Sequence, residues 1–182
     1  MAEQTLLTLG LDRKSFGGWT EGLDVARSFL SEQVGLEDFT YVNGSGLFGQ
    51  TRFSPRQMVK LLRYMKAITK DGFAKTLPAA GAHGTLRRRM KGIPKGDLRA
   101  KTGTLDGVSA ISGYIKTRQG AHLIFSVMMN DLPGKAWEAR SIQDEMLNFL
   151  WLLERPSPLA KREVRPRKTR PKKTRPKKRP QK

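Results

Sequence analysis

The chain contains no cysteine and only two histidines among its 182 residues. Disulfides and thiolate metal sites are thereby excluded, and His83 and His122 are too few for a histidine-based metal cluster. No metal or other cofactor is expected. His122 falls in a strand-like pattern and reads as structural. No apolar run approaches the roughly 20 residues that span a bilayer. The opening MAEQTLLTLGLDRK lacks the basic start and sustained apolar stretch of a secretory leader. A chain made as it stands is therefore expected to stay in the cytoplasm. Acidic residues are also scarce: 16 Asp and Glu face 35 Lys and Arg, a formal net charge of +19 at pH 7.

That charge is unevenly placed. From Lys161 onward stand thirteen Lys and Arg and one acid, Glu163, a net of +12. Arg165-Pro-Arg-Lys-Thr, Arg170-Pro-Lys-Lys-Thr and Arg175-Pro-Lys-Lys-Arg repeat every five residues. Proline at each fifth position blocks a helix, the charges repel, and nothing apolar follows Val164 to build a core. Residues 157–182 are expected to form a disordered basic tail behind one folded domain, 1–156, long enough for a real core. Such a tail binds anionic polymer, membrane surface or nucleic acid non-specifically by counterion release, or serves only as a solubilising extension. It offers no aromatics for base stacking, so sequence-specific reading is not expected.

Local signals place the elements of the domain. Thr20 is positioned to cap a helix running to about Val34, with Gly35 as its stop. Ser54-Pro55-Arg56-Gln57 is a capping box with proline at the first helical position. Met58, Leu61, Leu62, Met65 and Ile68 follow at helical spacing. Residues 108–116 and 121–129 alternate like strands around a turn at Arg118-Gln119-Gly120. Ile142, Met146, Phe149, Leu150 and Leu153 mark one face of a helix over Ala136–Leu153, expected to pack on that sheet. The order is helices, three antiparallel strands, then a closing helix, which is an α+β fold.

Chemistry concentrates in residues 98–116, LRAKTGTLDGVSAISGYIK. Lys101 offers an ammonium to a carboxylate and Thr102 a hydroxyl to hydrogen-bond it. Gly103 lets a peptide backbone lie close against a strand. By chance a tripeptide of common residues appears in roughly 4% of chains this long, so the surrounding sequence decides its meaning. Three stretches supply that context. Residues 41–55 (YVNGSGLFGQTRFSP), 77–90 (LPAAGAHGTLRRRM) and 98–115 resemble, in order and separation, segments of the S13-type D-alanyl-D-alanine carboxypeptidases. The resemblance covers most of residues 1–153 and implies part of a penicillin-binding, β-lactamase-like fold.

The resemblance also exposes gaps. Enzymes of this type use Ser-x-x-Lys for nucleophile and base, Ser-x-Asn for proton relay, and Lys-Thr-Gly. None of the ten serines has lysine three residues on or asparagine two residues on. No catalytic residue is therefore assigned, and the chain alone is expected to be inactive. It reads as the C-terminal portion of a serine carboxypeptidase or endopeptidase acting on peptidoglycan peptides. The parent is expected to be periplasmic or otherwise extracytoplasmic. It would take stem peptides and β-lactams as partners. The alternative is a non-catalytic penicillin-binding-like module with a polyanion-binding tail.

By resemblance, Lys101, Thr102 and Gly103 contact the carboxylate, and the Thr104 N–H is a second donor to a tetrahedral oxyanion. Strand alternation turns Lys101 and Gly103 to one side and Thr102 to the other, so local twist is needed to bring that hydroxyl to the cleft. Ser45 sits between Gly44 and Gly46, but a nucleophile elbow needs glycines where Asn43 and Leu47 stand. Ser45 and Leu47 are read as shaping the cleft floor. His83 occupies a place where relatives carry aspartate, and Phe48-Gly49-Gln50 replaces a Ser-x-Arg found in some. Gly81, Gly84 and Thr85 read as backbone punctuation. Without the upstream elements, a sheet edge and an apolar face are expected to be left uncovered.

Overall fold

The computed structural model describes residues 1–11, 18–47 and 50–154. The basic repeats, and Phe48-Gly49 with them, lie outside the described residues.

Among the described residues five α-helices and three strands follow one another. The helices are α1 (Ala2–Leu11), α2 (Trp19–Ser28), α3 (Pro55–Thr69), α4 (Gly72–Thr76) and, after the strands, α5 (Ala136–Leu152). The strands β1 (Leu98–Leu105), β2 (Gly107–Lys116) and β3 (His122–Leu132) form one antiparallel sheet in sequence order. The expected α+β order is present.

Helices α1 and α2 cross where side chains vanish. A Cβ on Gly22 would sit 2.0 Å from the Leu6 carbonyl oxygen, and one on Gly10 would lie 2.9 Å from that of Gly18. Leu6, almost fully buried, fills the crossing. The start of α2 differs from expectation. Gly18, extended at φ −129°, is the N-cap, and Thr20 lies inside the first turn. The run continues as a π-helical turn, Phe29–Gln33, and ends at Gly35 with φ +71°. A side chain at that φ would be strained, so glycine suits the stop. The Gly35 carbonyl also accepts the Lys60 ammonium.

The α3 capping box is formed as read. Ser54 Oγ accepts the Gln57 N–H at 3.3 Å, and Gln57 Oε1 accepts the Ser54 N–H at 2.6 Å. Leu62 is buried from this helix, while Ile68 at its end is exposed.

The main core lies between one face of the sheet, α5 and the 80–93 segment. It comprises Ala80, Leu86, Met90, Ile93, Leu98, Ala100, Ile111, Ile115, Phe125 and Leu147. On the opposite face, Leu62 and Leu77 pack on Tyr114, whose hydroxyl donates to the Leu62 carbonyl at 2.7 Å.

Helix α5 turns a different face to the sheet than its periodicity predicts. Ala139, Gln143 and Leu147 are the buried positions and Leu150, as expected, packs on the same core, whereas Ile142, Met146, Phe149 and Leu153 are exposed. The polar residue wins because it has partners. Gln143 Nε2 donates to Ser109 Oγ at 3.1 Å, and its Oε1 accepts from Arg89. Arg89 also bonds Asp144 through Nε and Nη2, at 2.9 and 2.6 Å. Asp144 thus faces the 84–93 segment on the β1 side. The exposed apolar stripe points the other way, toward β3, whose outer edge pairs with nothing among the described residues.

Candidate substrate-binding cleft

The outer edge of β1 is only half covered. Ala80 N–H donates to the Leu98 carbonyl and Ala100 N–H to the Pro78 carbonyl, each at 3.0 Å. Segment 78–80 therefore lies along residues 98–100 and stops there. In an antiparallel ladder, backbone groups of alternate residues point away from the partner strand. Leu98 and Ala100 point outward, so Thr102 and Thr104 do as well. Beyond Ala100 this edge has no backbone partner among the described residues, and the Thr104 N–H is directed away from the sheet. The Thr102 carbonyl, also outward, accepts the ammonium of Lys101 at 2.5 Å.

On the face opposite the main core, Lys101 aligns with Ser112 and Ser126, and Gly103 with Ala110 and Met128. Ser112 and Ser126 share a hydroxyl hydrogen bond of 2.8 Å. These positions form the floor of a cleft of about 900 Å³, whose opposite wall is the 41–53 segment. Phe39 and Phe53 stack at 5.5 Å and stiffen that wall, and a bridge between Thr40 and Arg52 closes its base.

Glu3 holds the tip of the wall from α1. Its carboxylate accepts the Gly44 N–H (3.0 Å), the Ser45 N–H (2.8 Å) and the Ser45 hydroxyl (2.5 Å). The Ser45 hydroxyl bond, helped by the two backbone N–H groups, holds the Glu3 carboxyl below its ordinary value against partial desolvation. Asn43 Oδ1 accepts the Gly46 N–H at 2.6 Å and completes the turn. Burial, with the Glu3 charge as a smaller contribution, raises the pKa of the Tyr41 phenol, which also lines the cleft.

Lys101, Thr102, Gly103 and Ser45 are thus brought to one cleft. The Ser45 hydroxyl donates to a carboxylate, and Leu47 N–H donates to its Oγ at 3.3 Å, which fits a turn residue and not an activated nucleophile. Leu47 is exposed and is not among the residues that line the cleft. Thr104 also lies outside the lining and reaches the edge through its backbone. The twist needed to turn the Thr102 side chain into the cleft is not observed. Its hydroxyl donates to Thr85 Oγ1 at 2.9 Å. Thr85 is therefore more than punctuation, although nothing in its sequence context marks a partner seventeen residues on. Gly84 beside it has φ +65°, where a Cβ would press on Pro78 at 3.0 Å. Among the described residues no cluster of His, Asp or Glu could hold a metal ion.

Helices on both faces of an antiparallel sheet, with a half-open edge strand beside a cleft, define a penicillin-binding-type fold. Over 82% of this chain the backbone matches penicillin-binding protein 4 (dacB) of Haemophilus influenzae, solved in complex with a β-lactam. The TM-score is 0.72 at 23% identity, and 38% of that chain is covered. A predatory endopeptidase of Bdellovibrio bacteriovorus (Bd0816), solved with the immunity protein Bd3460, matches at a TM-score of 0.62 and 19% identity. That match covers 81% of this chain and 39% of the other.

The chain belongs to the D-Ala-D-Ala carboxypeptidase 3 (S13) family, whose profile matches residues 1–151. It is 34% identical over 144 residues to a D-alanyl-D-alanine carboxypeptidase of Actinomadura sp. (strain R39), covering 74% of this chain and 26% of that protein. It is 28% identical over 138 residues to penicillin-sensitive carboxypeptidase A of Dictyostelium discoideum, covering 71% of this chain and 26% of that relative. The chain thus spans about a quarter of the length of these curated relatives.

Proposed function

We propose that this chain supplies the carboxylate-binding wall of a serine D-alanyl-D-alanine peptidase site acting on peptidoglycan peptides. The nucleophile and base come from polypeptide beyond these 182 residues. The observation that carries the reading is the open β1 edge at Thr102–Thr104, beside the Lys101 ammonium and above the cleft. An extended peptide adds to such an edge through main-chain hydrogen bonds. Lys101 leaves the Thr102 carbonyl to meet the terminal carboxylate, and Thr102 exchanges Thr85 for the same ligand. The outward Thr104 N–H donates to the oxyanion that forms when serine attacks the D-Ala-D-Ala carbonyl. One such donor contributes about 2.7–4 kcal/mol in the transition state. A β-lactam carboxylate takes the same place. Its substrate puts the assembled enzyme outside the cytoplasm.

Two measurements on this chain test the reading. Fluorescent penicillin followed by denaturing electrophoresis is expected to leave no covalent band. A band would make a serine here acylable, Ser45 first, and overturn the assignment of the nucleophile elsewhere. D-alanyl-D-alanine is expected to shift the Gly103 and Thr104 amides in a heteronuclear NMR titration, with at least fivefold weaker binding in Lys101→Ala. Unmoved amides would remove the carboxylate-binding role.

The net +12 from Lys161 onward favours a second reading, a non-catalytic module with a polyanion-binding tail. Deleting residues 161–182 is then expected to abolish retention on heparin resin, and unchanged retention would exclude it.

A further inference from the structure

At the other end of the sheet from the Lys101 cleft, the end of α3, α4, residues 96–99 and 114–116 and His122 line a half-open pocket of about 230 Å³. Its walls carry Lys66, Lys75, Arg99 and Lys116 against Asp71 and Asp97, a net of +2. None of the four cations has an ion-pair partner among the described residues, where the ion pairs are Arg27–Asp24 and Arg89–Asp144. The Lys66 ammonium instead lies 5.9 Å from the centre of the Tyr114 ring. Arg99 spends Nη1 on the carbonyls of Lys75 and Leu77, both at 3.3 Å. Those bonds fix the guanidinium plane at the wall and leave its other donors without a partner among the described residues.

Cations gathered from four elements around one gap repel each other unless an anion fills it. Ion pairing with Asp71 and Asp97 is the alternative way to relieve them, and the observed separations do not provide it. We propose that this cavity is a phosphate-binding pocket. Its volume falls below that of sites for drug-sized ligands, which restricts the occupant to a compact group: a free phosphate, or one phosphate of a longer chain. Guanidinium and ammonium donors suit that chemistry, the first by its fork and the second as a point charge.

Helix α5 ends beside the 117–121 turn, where Arg118 N–H donates to the Trp151 carbonyl at 2.8 Å, at the same end of the sheet as the pocket. The pocket is separate from that cleft, so the inference stands or falls independently of the peptidase reading.

The test is a heteronuclear NMR titration of the full chain with inorganic phosphate and, separately, with long-chain polyphosphate, at fixed ionic strength set with chloride. Saturable shifts are expected at the Gly96, Tyr114 and Lys116 amides. Lys66→Ala/Lys116→Ala is expected to weaken phosphate binding at least fivefold. Arg88→Ala/Lys91→Ala, exposed and outside the pocket, is expected to change it less than twofold. If the pocket double variant does not fold, Lys116→Gln alone, at an exposed strand end, is expected to weaken binding at least twofold. Affinity per phosphate group at least tenfold higher for polyphosphate identifies a polymer ligand, and equal affinity identifies the free anion. Either result supports the pocket. Shifts confined to residues beyond 160, or equal affinity in wild type and the pocket variant, overturn it.

Discussion

Glu3 in the first helix accepts the Ser45 hydroxyl at 2.5 Å across forty-two residues of sequence, and this bond fastens the tip of the cleft wall to α1. The carboxyl is held below its ordinary value of 4.5 by that bond and its two backbone neighbours. A carboxyl with a depressed folded pKa stabilises the fold above its unfolded value, and the contribution disappears as pH falls through the folded value. Thermal melts are therefore expected to show wild type losing stability more steeply than Glu3→Gln as pH falls through and below the ordinary carboxylate range. At neutral pH, Glu3→Gln is expected to melt lower. Parallel pH profiles would show that the Glu3 clasp does not stabilise the loop.

The fully buried amide of Gln143 joins α5 to Ser109 and Arg89. Removing it strands a buried hydroxyl and opens a void, so Gln143→Ala is expected to cost about 2–4 kcal/mol in urea unfolding. Arg89→Ala and Asp144→Ala are expected to be non-additive, with a coupling of about 1–2 kcal/mol in a double-mutant cycle. Additive losses would mean that the contact contributes no pairwise stabilisation.

Ile142, Met146, Phe149 and Leu153 are exposed on α5, and the outer edge of β3 pairs with no strand among the described residues. Apolar surface beside an open strand edge drives association. Sedimentation velocity is expected to show the chain associating with rising concentration, and Phe149→Glu to reduce this without altering the far-UV spectrum. Wild type that stays monomeric at high concentration would contradict the expectation.

Gly22→Ala places a methyl 2.0 Å from the Leu6 carbonyl oxygen. Backbone cannot yield there as a flexible side chain would, so α1 must move off α2. A loss of about 1–3 kcal/mol is expected, with the Leu6 and Gly10 amide resonances displaced. A variant as stable as wild type would show that the crossing relaxes freely.

How much of this was legible follows from where each signal resides. The Ser54 capping box, the Gly35 stop and the three-strand order depend on neighbouring residues, and local sequence carries them. The face of α5 was misread because hydrophobic period alone ranks Gln143 below Ile142. The partners that reverse this ranking, Ser109 and Arg89, stand 34 and 54 residues away. The start of α2 was placed late because Thr20 is a better capping residue than Gly18 by type, yet Gly18 holds the extended backbone. In the cleft, Lys101 and Gly103 were legible as residue types, and alternation already set Thr102 apart from them. The Thr85 partner and the Glu3 clasp are long-range contacts between ordinary residues, invisible without the fold. Leu47 was assigned by resemblance alone, and its exposure shows how little adjacency to Ser45 decides.

The two-residue turn Asp106-Gly107 sets Leu105 opposite Val108 and every later pair in β1 and β2 by count. All three strands fall between residues 98 and 132, so the sheet closes only short loops. Hairpins of this kind form in about 1–10 μs, well ahead of pairings that must first close long loops. Lys101 and Gly103 therefore receive their neighbours early in folding. The register is correspondingly unforgiving: a slip of the β1 ladder by one residue sends Lys101 to the face that α5 covers.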